Sequence, residues 1–495
     1  MLLITFHEFS HLCEKMIRNS TNVRNSGWNL ANILFYPVAF LAVTPFFIDR
    51  LGESLFGEWM LINSYVYIAV HLVGFGLPVS ITAHVAEAIG QNDNRKLNAY
   101  INAASRLLGR MTILTILFGI ILYLAWYLGL QLFEDQTWKT LIIATFFIAG
   151  KFPELLYQNI FKGQEYYNKA AVFNMLNRFV ALGAQVILVV KGYGLPAIFM
   201  VNLLINFLVV VLQGYIIYRK LPGYKPFLIK ALPERKELYN YGFWTWLQTI
   251  IAVVSFQLDR FLVAYFLGTA TVTYYVLATT IVNHLHMAFE AVVSWLLPKV
   301  SRLKAATRET RTHFNTIRAF SIGFSLLVIS LLYAVNQPLF TLWLGTDKYM
   351  KMIDFFRLFM IFEAFLILSI VPKFYLNAIK SLSFITLLEL MYKSAIIVGM
   401  LSLFFFMKTA ESLIWGQIIA LIIFMPVEYY FINRKILKDR PMKEVILTSV
   451  PSLFIMAAVL VSSWYWAVMA FIVAIISFWL VYIKDEHFNR KILTE

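Results

Sequence analysis

Residues 194–218 read GLPAIFMVNLLINFLVVVLQGYIIY, twenty-five positions without one charged side chain. At 1.5 Å per helical residue, such a run crosses a hydrocarbon layer about 30 Å thick. Arg219 and Lys220 close it, and within it the strongly polar groups are three amides, Asn202, Asn206 and Gln213. The same rhythm recurs on both sides. Reading apolar runs between polar breaks gives fourteen expected spans, at 28–48, 55–78, 107–130, 138–161, 170–190, 194–218, 239–265, 272–297, 314–335, 353–378, 384–406, 411–432, 444–462 and 464–483. The expected fold class is an all-α polytopic membrane protein.

The composition of the 495 residues points the same way. Hydrophobic residues make up 60% and charged residues 14%, against roughly 25% charged in a soluble domain. Cys13 is the only cysteine, which excludes an intramolecular disulfide and a cysteine metal cluster. His7, Glu8, Lys15 and Arg18 interrupt residues 1–27. No cleavable signal peptide is therefore expected, and the first span, from Trp28, is expected to act as an uncleaved anchor.

The net charge of +15 reads as topology, with no nucleic-acid partner expected. With the N-terminus inside, the cytoplasmic gaps hold 28 Lys and Arg and the external gaps six, Arg50, Lys139, Lys191, Lys348, Lys351 and Lys408. Basic residues concentrate on the cytoplasmic face of a membrane protein, so both termini are placed in the cytoplasm. The longest external gap, 336–352, is short and largely apolar. No folded domain fits on either face, and the helices must carry the function.

An internal repeat divides the chain. A shift of 216 residues lays Leu51 and Gly52 on Leu267 and Gly268, Trp59 on Tyr275, Val66 on Val282, Arg95 on Arg311 and Ser105 on Ser321. A shift of 218 pairs Asn159 with Asn377 and Lys162 with Lys380, each after a proline, Pro153 or Pro372. Both shifts equal six spans, so the halves share one orientation about an axis along the membrane normal. The expected organisation is a cytoplasmic segment 1–27, an N-lobe 28–218, a basic linker 219–238, a C-lobe 239–433, two further spans within 444–483 and a cytoplasmic tail 484–495.

Phe46-Phe47-Ile48-Asp49-Arg50-Leu51-Gly52 with Phe56-Gly57-Glu58-Trp59 resembles the opening of Wzx-type polysaccharide (O-antigen) flippases. Leu258-Asp259-Arg260-Phe261-Leu262, Tyr265-Phe266-Leu267-Gly268, Tyr274-Tyr275, Pro298 and Ser301-Arg302 resemble the same family. These flippases belong to the multidrug/oligosaccharidyl-lipid/polysaccharide exporter superfamily. The resemblance implies two six-helix bundles around a central cavity and alternating access for a polyprenyl-diphosphate-linked oligosaccharide in the bacterial inner membrane. It also implies membrane lipids and polysaccharide assembly proteins as partners, with a proton or sodium gradient as the candidate driving force.

Charges inside spans are costly, about 2.5–3.5 kcal/mol each at the bilayer centre, and should face a cavity or a partner. Lys151 with Glu154, and Glu389 with Lys393, stand three and four apart, where a helix allows self-neutralising pairs. Arg178 and Lys373 have no such local partner, and Arg357, read as unpaired, lies near a span end where it can snorkel. Asp259 reads as structural and its neighbour Arg260 as cavity-facing. Arg178, Arg260 and Lys373, with Lys151, are the expected substrate-binding cations, since cations in a wet cavity suit a diphosphate. Glu290 and Glu363 are the candidate coupling carboxylates, although a bridge to a cation on another helix is the favoured reading of each. His71, His84, His284 and His286 read as hydrogen-bonded histidines, not metal ligands. Pro37, Pro45, Pro153, Pro372 and Pro426 supply kinks.

Enzymatic signatures are few. No G-x-x-x-x-G-K-[ST] phosphate loop occurs, no two aspartates stand two residues apart, and no nucleophile constellation emerges, so neither catalysis nor a cofactor is expected. The reading is a lipid-linked oligosaccharide transporter. Its rivals are a cation-coupled drug or metabolite exporter of the same architecture and, less favoured, a membrane glycosyltransferase or polymerase.

Overall fold

Apolar runs in lipid have no water to bond their backbone groups, so they must bond internally. In the computed structural model they form helices throughout the residues the structure describes, 20–130, 134–221, 232–293, 308–371 and 382–432, with a few isolated positions beyond 451. In chain order these are α1 (Ser20–Leu51), α2 (Glu53–Gly74), α3 (Leu77–Gly90), α4 (Asn94–Tyr127), α5 (Asp135–Gly163), α6 (Tyr167–Val190) and α7 (Leu195–Lys220). They continue with α8 (Leu232–Leu267), α9 (Thr269–Val293), α10 (Arg308–Leu344), α11 (Thr346–Leu366), α12 (Leu382–Met407) and α13 (Ala410–Ile432), with a 3-10 turn at Ile367–Ser369. Seven of the described helices are long and apolar enough to cross a membrane, and the bent pair α2–α3 gives an eighth. The expected spans 444–462 and 464–483 lie outside the described residues, apart from isolated positions.

Two compact units divide the chain at Val253/Val254, inside α8. In the first, α5 packs on α4 and α7, and α1 on α6; in the second, α9 and α10 pack on α11, and α12 on α13. The repeat is visible in the turns. Gly52 and Gly268 have φ of +84° and +85°, Gly129 and Gly345 of +85° and +83°, and Gly192 and Lys408 of +78° and +54°. Each pair is 216 residues apart, so three helix-to-helix turns in each unit use left-handed residues in the register of the repeat. Glycine enters this region without steric cost. The aligned aromatic pair is likewise buried in both units. Trp59 meets Phe40, Phe47 and Phe56 edge-on, and Tyr275 meets Phe355 and Phe359 edge-on.

Three boundaries differ from the sequence expectation. The second span ends at a 50° break, where Phe75 (φ 48°) and Gly76 (φ 65°) are both left-handed. A further helix, α3, follows, most of it in the expected gap 79–106. The next helix starts at Asn94, thirteen residues before the apolar run, because Asp93 caps it by accepting from the backbone N–H groups of Arg95 and Lys96 at 3.0 and 2.9 Å. The expected external gap 336–352 is almost wholly helical, with Gly345 alone turning between α10 and α11. Apolar length marks the hydrocarbon layer, whereas caps mark the helix ends, and the two need not coincide.

Candidate transport site

In the first unit a polar seam runs through the middle of α5, α6 and α7. Glu154 is 4% exposed and accepts from Lys151 Nζ at 2.7 Å, Gln158 Nε2 at 2.9 Å and Asn177 Nδ2 at 3.1 Å, and also from Asn206 Nδ2. A buried carboxylate is tolerated when it is paired and its lone pairs are filled. Gly150 makes room for the amide: a Cβ there would lie 2.7 Å from Asn206 Oδ1. One turn along, Gln185 Nε2 donates to Asn202 Oδ1 at 2.6 Å. Asn202, Asn206 and Gln213 fall within about 40° of one another around α7, and Gln213 is fully buried with neither amide atom hydrogen-bonded among the described residues.

Arg178 follows Asn177 by one residue, so it points about 100° away from this seam. It lies at the midpoint of α6, is exposed, and sits 5.2 Å over the Tyr36 ring of α1. Among the described residues no carboxylate stands within 4 Å of it, and its charge reaches Lys162. Lys151, by contrast, is committed to Glu154 and lies 4.7 Å from the Phe147 ring.

In the second unit Asp259 is buried and accepts from Tyr275 Oη at 2.8 Å and from the Arg260 backbone N–H at 2.8 Å. Gln417 Nε2 donates onward to Tyr275 Oη at 3.2 Å. Arg260 is half-buried, and its charge reaches the Asp259 carboxylate. Farther along α9, His286 joins both candidate carboxylates. Its Nδ1 is 2.8 Å from Oε1 of Glu363, which is 1% exposed, and its Nε2 is 3.5 Å from Oε1 of the half-exposed Glu290. Glu290 and Glu363 thus meet at one imidazole.

Arg357 is not unpaired, since its Nη1 lies 3.6 Å from Asp354 Oδ1, one turn earlier. Lys393 is buried, with its ammonium 4.1 Å from the Phe256 ring centroid. Lys373 lies outside the described residues. The same holds for His7-Glu8-Phe9-Ser10-His11, an H-E-x-x-H spacing that the sequence reading wrongly took to be absent and that needs a helix and a further ligand before it means zinc. Among the described residues no three His, Cys, Asp or Glu groups are placed to hold a metal ion. The sequence reading also missed Gln158, Asn177 and Asn206, and the bridging role of His286. Amides in otherwise apolar spans were the available signal.

Helical bundles with buried polar seams and a break in the second span make this an α-helical membrane protein. A family model described as "Polysaccharide biosynthesis protein" matches residues 23–304, more than half the chain, and the chain belongs to this family. A Shigella flexneri protein described as "Putative O-antigen transporter" is 23% identical over 416 residues, covering 80% of this chain and 93% of that one. Among solved structures, "Lipid II flippase MurJ, inward closed conformation" superposes with a TM-score of 0.64 at 14% identity, covering 95% of this chain and all of that one. An inward-facing multidrug resistance MATE family transporter of the MOP superfamily gives 0.60 at 13% identity, covering 83% and 98%. At such identities the structural likeness establishes the fold. The protein is a multi-pass α-helical membrane protein of this family.

Proposed function

We propose that this protein moves a polyprenyl-diphosphate-linked oligosaccharide from the inner to the outer leaflet of a bacterial cytoplasmic membrane, by alternating access, during surface polysaccharide assembly. Arg178 carries this reading. An exposed guanidinium at the midpoint of a span needs water or an anion beside it, and no carboxylate of the described residues neutralises it. A planar guanidinium matches phosphate oxygens in a fork. Lys151 is already neutralised, and Arg260 is partly so by Asp259. That makes Arg178 the leading diphosphate ligand in the first unit, with Arg260 and Lys373 as its counterparts farther along the chain. The distribution of basic residues supports cytoplasmic termini.

Cargo binding moves a two-state equilibrium only as far as the cargo prefers one state, so directional transport needs a second ligand. The Glu290–His286–Glu363 line offers a proton path from an exposed carboxylate to a buried one. Binding tests the reading. Protein in nanodiscs should hold a polyprenyl-diphosphate oligosaccharide at least tenfold more tightly than the uncharged polyprenol analogue, and Arg178→Gln should remove most of that preference. Equal affinity for both ligands contradicts it, and tighter binding of small organic cations favours the drug-exporter reading.

A further inference from the structure

The first unit carries a second cluster of positive charge, apart from the mid-span seam. It lies where α6 begins and α7 ends. Lys169, in the first turn of α6, has its ammonium 4.5 Å from the centroid of the Tyr166 ring. Lys220, the last residue of α7, has its ammonium 4.8 Å from the same centroid. Both ammonium groups thus lie against one ring, and the charge of Lys220 acts on Lys169. An ammonium has three donors and no acceptor, so two held at one ring repel. The ring offsets part of that cost. Among the described residues neither lysine has a carboxylate within 4 Å to offset the rest. What completes such a pair is an oxygen anion able to accept from both.

The surroundings set the depth. Tyr166, Tyr215 and Tyr218 are 41%, 55% and 65% exposed, and Arg219 lies 5.1 Å over the Tyr215 ring. Exposed tyrosines beside basic residues at the ends of spans mark the headgroup layer of a bilayer. We propose that Lys169, Lys220 and Tyr166 form a headgroup site for an anionic phospholipid, its phosphate bridging the two ammonium groups and its acyl chains lying along α6 and α7. Basic positions between spans on the side rich in Lys and Arg are where such lipids bind. The site does not depend on which cargo the protein carries.

The test uses the full chain in phosphatidylcholine nanodiscs, titrated with spin-labelled phosphatidylglycerol. Each lysine is expected to contribute about fivefold in affinity, so K169Q/K220Q should bind about 25-fold more weakly. K169R/K220R should stay within about threefold of wild type, because charge is kept. A thermal readout is independent of binding. K169Q should melt at or above the wild-type temperature in pure phosphatidylcholine, since repulsion is relieved, and added phosphatidylglycerol should stabilise wild type more than K169Q/K220Q. Unchanged lipid affinity in K169Q/K220Q overturns the proposal. Displacement of the lipid by millimolar inorganic phosphate would make it a site for free anions. Displacement by equimolar polyprenyl diphosphate would make it a cargo site. Either result overturns the assignment to a phospholipid.

Discussion

Lys151 and Glu154 neutralise each other at 2.7 Å, one turn apart in α5, and two neighbouring helices close over the pair through Asn177 and Asn206. The carboxylate therefore ties three helices together, and its removal leaves four donors facing nothing. Breaking a buried pair by deleting one partner costs about 3–5 kcal/mol. Glu154→Ala should lower thermal stability in detergent by that order. Lys151→Met/Glu154→Gln should lose distinctly less, since no charge is left uncompensated. Equal losses would mean that the pair is not the tie.

His286 stands between Glu363, which is buried, and Glu290, which is half-exposed. If protons reach Glu363 through the imidazole, Glu363→Gln and His286→Ala should both transport at a rate indifferent to an imposed proton gradient, while cargo binding is retained. Glu290→Gln should reduce the gradient response without abolishing it, because the His286 side chain is only partly buried and water can still reach it. Flux measured in proteoliposomes with and without the gradient separates these outcomes. A full gradient response in Glu363→Gln would remove this path.

Gly399 of α12 and Gly416 of α13 bring two backbones into contact. A Cβ on Gly416 would lie 2.4 Å from the Gly399 carbonyl carbon, and one on Gly399 would lie 2.7 Å from the Gly416 oxygen. Small residues allow such approach between membrane helices. Gly416→Ala should force the helices apart at a cost of about 1–3 kcal/mol. Gly183→Ala, in α6 with open space around its Cβ, should be neutral or stabilising by up to about 1 kcal/mol. Melting temperatures of the two variants test the contrast directly.

Much of the fold was legible because its determinants are local. Gly52 and Gly268 mark equivalent turns since both need φ near +85°, and the aligned Trp59 and Tyr275 are both buried. The break after Gly74 was harder to read, because α3 carries Glu87 and ends among polar residues, so its apolar face made no span-length run. The site was legible only in part. Lys151 and Glu154 share a helix face and could be paired by spacing. Asn177 and Asn206 lie 23 and 52 residues from Glu154, and His286 lies 77 residues from Glu363. Nothing in local spacing links positions that meet only when separate helices pack.

Leaflet-resolved translocation tests the central claim most directly. Wild type and Arg178→Gln, each reconstituted in proteoliposomes with a short polyprenyl-diphosphate oligosaccharide, are compared for cargo reaching the opposite leaflet. Wild type should move the cargo, and Arg178→Gln, folded and melting normally, should move it at least tenfold more slowly. Translocation by Arg178→Gln at the wild-type rate, or none by wild type, would contradict the account.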